Sequence, residues 1–262
     1  MPDAAVLAPP ISPPPVPPPP VPPVPRPPKI PPLRHGDRLH ADEYLRRYWA
    51  MPEDFRAELI GGVVFVDDPA VPVRHRHHGK PTGLMTLAVG TYSAATPGTD
   101  FGTDGTTILG DREIPQPDTM LRVLPAHGGR TRDTDDDLIE GGPEFVAEMA
   151  GSTANTDLGG KFDAYLAAGV REYLVWRTGG RHAGVTWHAR RGEGDAVRFE
   201  PLPAEGGVIR SEVFPGLWLN VAALLRGDAA GVLASLNAGL ATPEHAAFAG
   251  ELAARGPGPG GG

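Results

Sequence analysis

Apolar positions along this chain change period repeatedly, and each change predicts an element. Over 40–51, HADEYLRRYWAM, the residues Tyr44, Leu45, Tyr48 and Trp49 recur at helical spacing and predict a short amphipathic helix. AELIGGVVFVDD, 57–68, sets two β-rich runs around Gly61-Gly62 and predicts a hairpin or a bulged strand. GLMTLAVGTYSA, 83–94, predicts a helix, whereas TTILG (106–110), QPDTMLRVL (116–124) and EFVAEMA (144–150) predict strands. TDLGGKFDAYLAAG, 156–169, predicts a helix closed by Gly169 at C′, and REYLVW (171–176) a buried strand. Short strands are predicted at 184–190 and 196–200. The stretch 228–255 predicts one or two helices, with Thr242 as N-cap and Pro243 at the first helical position. Strands cluster first and then alternate once with a helix, which predicts an α+β (α/β-like) fold with a mixed central β-sheet flanked by helices.

Composition changes the picture mainly at the ends. Residues 1–33 hold 17 of the 32 prolines; proline fixes φ and lacks an N–H, so this arm is expected to be disordered and extended. It reads as a solvated spacer, or else as the ligand of a proline-recognition partner. Prolines break the arm's apolar residues into short runs, so no signal peptide is expected. The expected organisation is a proline-rich arm at 1–33, one domain at 34–227, and a helical C-terminal extension at 228–262 with a flexible Gly/Pro end. With no apolar run of 18 residues, no membrane span is expected. The absence of cysteine excludes disulfides, thiolate catalysis and cysteine-ligated zinc, and fits a reducing, cytoplasmic setting. A net charge of -8 argues against coating nucleic acid through bulk charge, so any polyanion contact must be focused.

Glu148 is the first residue to call for chemistry. It stands in a run that otherwise reads as a buried strand, and a lone buried carboxylate costs several kcal/mol unless something pairs with it. Asp118 begins another strand. If the two strands pair, both carboxylates project from one sheet end and form a hard-oxygen site for Mg²⁺ or Mn²⁺. Lys161, early in the following helix, would then stabilise charge on a phosphoryl group or hold the attacking water. Plainer readings stand beside these: Glu148 turned to solvent, Asp118 opening a turn, Lys161 paired with Asp157, and Glu58 on the exposed face of a hairpin.

Taken in order, Glu58 in AELIGG, Asp118 in QPD, Glu148 in VAE and Lys161 in DLGGKFDAYLAAGVREYLV resemble the Uma-two family, read as endonucleases of the PD-(D/E)XK nuclease-like superfamily. The likeness runs from about Leu39 to about Leu225, and its most specific piece is Lys161, Tyr165, Ala168 to Val170, Glu172 and Tyr173. The resemblance implies a restriction-endonuclease-like core, Asp118 and Glu148 as ligands of divalent metal, Lys161 as the catalytic lysine and Glu58 as an additional acidic residue. It further implies hydrolysis of DNA phosphodiester bonds and, since similar proteins often pair, a homodimer. This chain departs from the pattern at Ala150, where the general motif places the lysine, and at Gly61 in ELIGG, where the family usually has a carboxylate. The alternative expectation is a catalytically silent module that binds nucleic acid or protein.

Two further motifs carry less. In RHRHHGK (74–80), His75, His77 and His78 are poorly spaced for zinc. The same segment reads better as a phosphate-backbone contact through Arg74, His77, His78 and Lys80. Asp133, Asp135, Asp137 and Glu144 match positions of a calcium loop, yet Leu138 replaces the required glycine, so the loop reads as solvated.

Overall fold

The computed structural model describes residues 30–67, 71–151, 155–179 and 181–256. The proline-rich arm up to residue 29 and the Gly/Pro end at 257–262 lie outside the described residues. In chain order the helices are α1 (Ala41–Tyr48), α2 (Lys80–Ala95), α3 (Asn155–Ala167), α4 (Val221–Arg226), α5 (Ala229–Leu240) and α6 (Pro243–Arg255). The strands begin with β1 (Ala57–Ile60), β2 (Val63–Val66), β3 (Thr99–Gly102), β4 (Thr107–Ile108), β5 (Thr119–Val123), β6 (Arg132–Asp133) and β7 (Ile139–Glu140). They continue with β8 (Phe145–Ala150), β9 (Glu172–Arg177), β10 (Gly184–Arg191), β11 (Arg198–Pro201), β12 (Ala204–Glu205), β13 (Val208–Arg210) and β14 (Trp218–Asn220).

Six strands form the central sheet in the order β11-β10-β9-β8-β5-β3. Only β8 and β9 run parallel, joined through α3; the remaining pairs are antiparallel. The mixed sheet flanked by helices is the predicted fold class. Alternation within β8 divides the interior, because successive side chains point to opposite faces. Phe145, Ala147 and Met149 join the larger cluster beneath α2, α4, α5 and α6, which includes Leu84, Tyr92, Trp187, Leu236 and Leu252. Val146 and Ala150 join Tyr165, Tyr173, Val175 and Phe199 on the α3 face. The Phe145 and Trp187 rings pack edge-on with centroids 5.2 Å apart, a contact that adds about 1 kcal/mol to the area both bury. Thus α5 and α6 contribute to the same core as the sheet. Thr242 caps α6 as its spacing predicts, its Oγ1 accepting from the His245 N–H.

The GG dipeptide closes the β1–β2 hairpin as a two-residue turn, with Ile60 opposite Val63. Both glycines have positive φ, +61° and +74°, as a turn of this hand requires. The hairpin packs with Leu33, Tyr44 and Ile114 in a third cluster. Elsewhere the elements depart from the pattern. TTILG supplies only two strand residues. TDFG is the edge strand β3, although its polar and glycine content gives no strand signal. The helix predicted at 83–94 begins at Lys80 and is entered through a π-turn at His75–Gly79.

Candidate active site

Glu148 lies on β8, a central strand whose six residues are all buried. Its side chain points to the α3 face with Val146 and Ala150. Thr119 pairs with Ala147 and Met120 with Val146, so the register carried one step further sets Asp118 opposite Glu148. The Asp118 side chain turns back across the strands, and its Oδ2 accepts from the Met149 N–H at 2.5 Å. The two carboxylates therefore leave one sheet end on one face, as their spacing predicts.

α3 provides the cation. Lys161 Nζ is 2.9 Å from Glu58 Oε1 and 3.2 Å from Glu148 Oε1, with Glu148 Oε2 at 3.3 Å. One turn later on the same helix face, the Tyr165 hydroxyl donates to Glu148 Oε1 at 2.7 Å. Glu58 arrives from the hairpin, where its Oε1 also accepts from the Gln116 N–H at 2.6 Å. Gln116 in turn donates through Nε2 to the Tyr48 hydroxyl and to Thr106 Oγ1. The buried Glu148 is thus neither solvated nor alone, Glu58 is largely covered, and Lys161 pairs with two carboxylates distant in sequence.

The electrostatics show excess negative charge. Burial pushes the Glu148 carboxyl up to about 8, with Asp118 and Glu58 adding repulsion against the opposing pull of Lys161. Burial likewise pushes Asp118 up to about 7, opposed by the Met149 N–H and by Lys161. Burial alone would lower the Lys161 ammonium, but Glu148 and Glu58 overcome it and hold it well above its ordinary range. Three carboxylates facing one ammonium leave a formal charge of about -2 when all are ionised, the charge a divalent cation balances.

The donor set therefore fits a hard cation through Asp118 and Glu148, with carboxylate oxygens as the ligands. Among the described residues no three His, Asp or Glu side chains converge as a ready-made cage. Such an ion, held by one or two carboxylates, keeps most of its coordination shell for water and substrate oxygens.

Two clefts open on this cluster. One, of about 930 Å³, is lined by Glu58, Asp118 and Lys161 together with Trp49, Phe55 and Asp104; a smaller one, of about 350 Å³, reaches Glu148 and Ala150. The helix Asn155–Ala167 carries Lys161 and Tyr165, the first two residues of the most specific piece of that pattern. The family model described as "Putative restriction endonuclease", Uma2, matches residues 41–222.

The chain belongs to the Uma2 family.

The match extends from α1 through β14 to the first residues of α4 and includes all four carboxylate and lysine positions of the cluster. Among solved structures, one described as a "putative nuclease belonging to DUF820 from Anabaena variabilis ATCC 29413" shares the fold. Its TM-score is 0.51 at 12% identity, over 70% of this chain and 97% of that one. No curated protein matches the chain. Within this Uma2 protein the histidine-rich segment proves to be divided. His77 docks on Thr178, with Nδ1 3.1 Å from the Thr178 carbonyl and its own carbonyl accepting from Thr178 Oγ1. His78 turns toward the cluster, Nε2 3.5 Å from Asp118 Oδ1 and Nδ1 3.4 Å from the Met149 carbonyl. Lys80 faces elsewhere, into a separate cleft. The roles of Tyr165 and Gln116 escaped the sequence; the i, i+4 spacing of Lys161 and Tyr165 is the signal that marks the first, and nothing local marks the second.

Proposed function

We propose that this protein is a metal-dependent endonuclease that hydrolyses phosphodiester bonds of DNA. The observation that carries the proposal is the Lys161 ammonium held between Glu58 and Glu148 on the face that Asp118 shares. Asp118 and Glu148 are the residues that would hold Mg²⁺ or Mn²⁺, which when bound neutralises phosphate charge and acidifies water for attack. Lys161 presents a permanent positive charge to a phosphoryl group entering the cleft, where it offsets the charge that develops as the bond breaks. Glu58 and Gln116 fix the lysine from the hairpin side. Tyr165 fixes Glu148 by donating to one of its oxygens, which leaves Oε2 more open to a ligand. His78 is placed to donate to Asp118 or to a phosphate oxygen beside it.

Plasmid nicking with Mg²⁺ or Mn²⁺ tests this directly. Wild-type protein is expected to nick, and Asp118→Ala to lose at least about 10²-fold in rate. Equal cleavage by both rules out the site. A 1:1 Mn²⁺ titration lost in Glu148→Ala, with no cleavage of any DNA or RNA substrate, assigns the fold instead to a silent binding module.

A further inference from the structure

Outside the carboxylate cluster, a third cleft of about 780 Å³ is lined by His75, Arg76, Lys80, Arg177 and Arg226 and by no acidic side chain. Four formal positive charges come from three places: the π-turn leading into α2, the end of β9 and the end of α4. Among the described residues, Arg76, Lys80 and Arg177 form no ion pair, and Arg226 meets Asp228 only at 3.6 Å. A chain of net charge -8 gains nothing in folding from setting three unpaired cations and one loosely paired cation around one hollow. The C-terminus of α4 offers a partial reason, since a helix end carries about half a negative charge. That accounts for one cation at most, and α4 spans six residues. The remaining charge awaits an anion from outside.

We propose that this cleft seats the phosphate backbone of a nucleic acid at a place distinct from the hydrolytic cluster. Four cations drawn from three elements around a cleft of about 780 Å³ suit a run of several phosphates better than a single small anion. The turn His75–Gly79 joins the two regions: His75 and Arg76 line the basic cleft, while His78 reaches Asp118. A strand held at the basic cleft is thereby presented to the acidic one. The inference rests on the hydrolytic reading for its choice of polyanion, and it replaces Arg74 and His77 by Arg76, Arg177 and Arg226 as the backbone contacts.

Anisotropy of a short fluorescein-labelled DNA duplex in EDTA, over salt from about 50 to about 200 mM, reads this cleft without hydrolysis. Arg76→Ala combined with Arg177→Ala is expected to weaken binding roughly tenfold and to make the slope of log affinity against log salt shallower by about 2. The control pair Arg198→Ala and Arg210→Ala removes two charges that sit in surface ion pairs and is expected to change the slope little. Equal effects of the two pairs, or wild-type slopes in both, overturn the proposal, as does preference for phosphatidylglycerol vesicles over duplex. Arg226→Glu, at an exposed side chain, gives the same reading if Arg177→Ala impairs folding. Mn²⁺ calorimetry on the same variants separates the two ideas: metal binding should persist when duplex binding is lost, and failure of metal binding alone strikes the hydrolytic reading.

Discussion

The larger acidic cleft and the basic cleft are built from the same sheet end, yet their charges oppose. The acidic one collects Glu53, Glu58, Asp67, Asp104, Asp118 and Asp137 against Arg56 and Lys161; the basic one collects three arginines or lysines beside His75 and Arg226 and no carboxylate. A polyanion approaching the first alone meets repulsion, whereas a divalent cation meets attraction. Approaching the second, the polyanion meets attraction at once. On the proposed reading a division of labour follows from charge: the basic surface would supply affinity, and the acidic one a place for metal and a poised lysine. Bulk charge conceals this, because a net value of -8 averages over both.

Breaking the acidic half should have the largest effect. Lys161→Met leaves Glu58 and Glu148 facing each other in a largely buried site, and removing one partner of a buried ion pair costs about 3–5 kcal/mol. Denaturant unfolding in EDTA should show that loss, and Mn²⁺ should restore much of it by supplying the missing charge. Activity should nevertheless fall about 10²- to 10³-fold, since the metal cannot take the place of the lysine at the phosphoryl group. A variant as stable as wild type in EDTA would mean that Lys161 is not what holds the carboxylates together.

A buried carboxylate that takes no part in either cleft sharpens the contrast. Glu172 on β9 accepts from Ser211 Oγ and from the N–H groups of Glu212 and Val213. Burial outweighs these bonds and pushes its carboxyl from 4.5 up to about 7. The folded state therefore holds a proton that the unfolded chain releases. Stability from this group is complete below about pH 4.5 and is lost as pH rises to about 7, by roughly 3 kcal/mol. Glu172→Gln keeps the size and most of the hydrogen bonds, so its unfolding free energy should fall less steeply with pH across that window. Parallel profiles for wild type and variant would show that Glu172 ionises normally and that the pH response belongs to Asp118 and Glu148.

Much of the acidic half was legible because chemistry and local pattern coincide there. Glu148 interrupts an apolar run, Asp118 opens a strand whose alternation fixes its face, and Lys161 sits at a helix position that the following AGV and Tyr173 anchor in register. The basic half was not legible. Arg76, Arg177 and Arg226 are separated by about a hundred and by about fifty residues and meet only through the ends of a turn, a strand and a helix. The run RHRHHGK looks like one basic patch, but the π-turn sends its side chains in different directions, so His75 lines the basic cleft, His77 docks on Thr178 and His78 faces the acidic cleft. Strand β3 escaped for another reason: TDFG has no intrinsic preference for extension and is held by its pairing with β5.

The smallest predicted effect tests the separation of the two halves at a single backbone position. Gly227 ends α4 with φ +67°, a conformation an L side chain adopts at a cost of about 1 kcal/mol. A Cβ built there would lie 2.3 Å from Lys80 Nζ, the far end of a flexible side chain. Gly227→Ala should therefore fold, lower the melting temperature by a few degrees, and swing the Lys80 ammonium out of the basic cleft. Losing one of four cations should weaken duplex binding a few-fold and flatten the salt slope by about 1. Mn²⁺ affinity at Asp118 and Glu148 should stay at the wild-type value, because Lys80 lines neither cleft around that cluster. Unchanged duplex binding despite the displaced lysine would confine the anion seat to the arginines, and a fall in Mn²⁺ affinity would mean that the two clefts are not energetically separate.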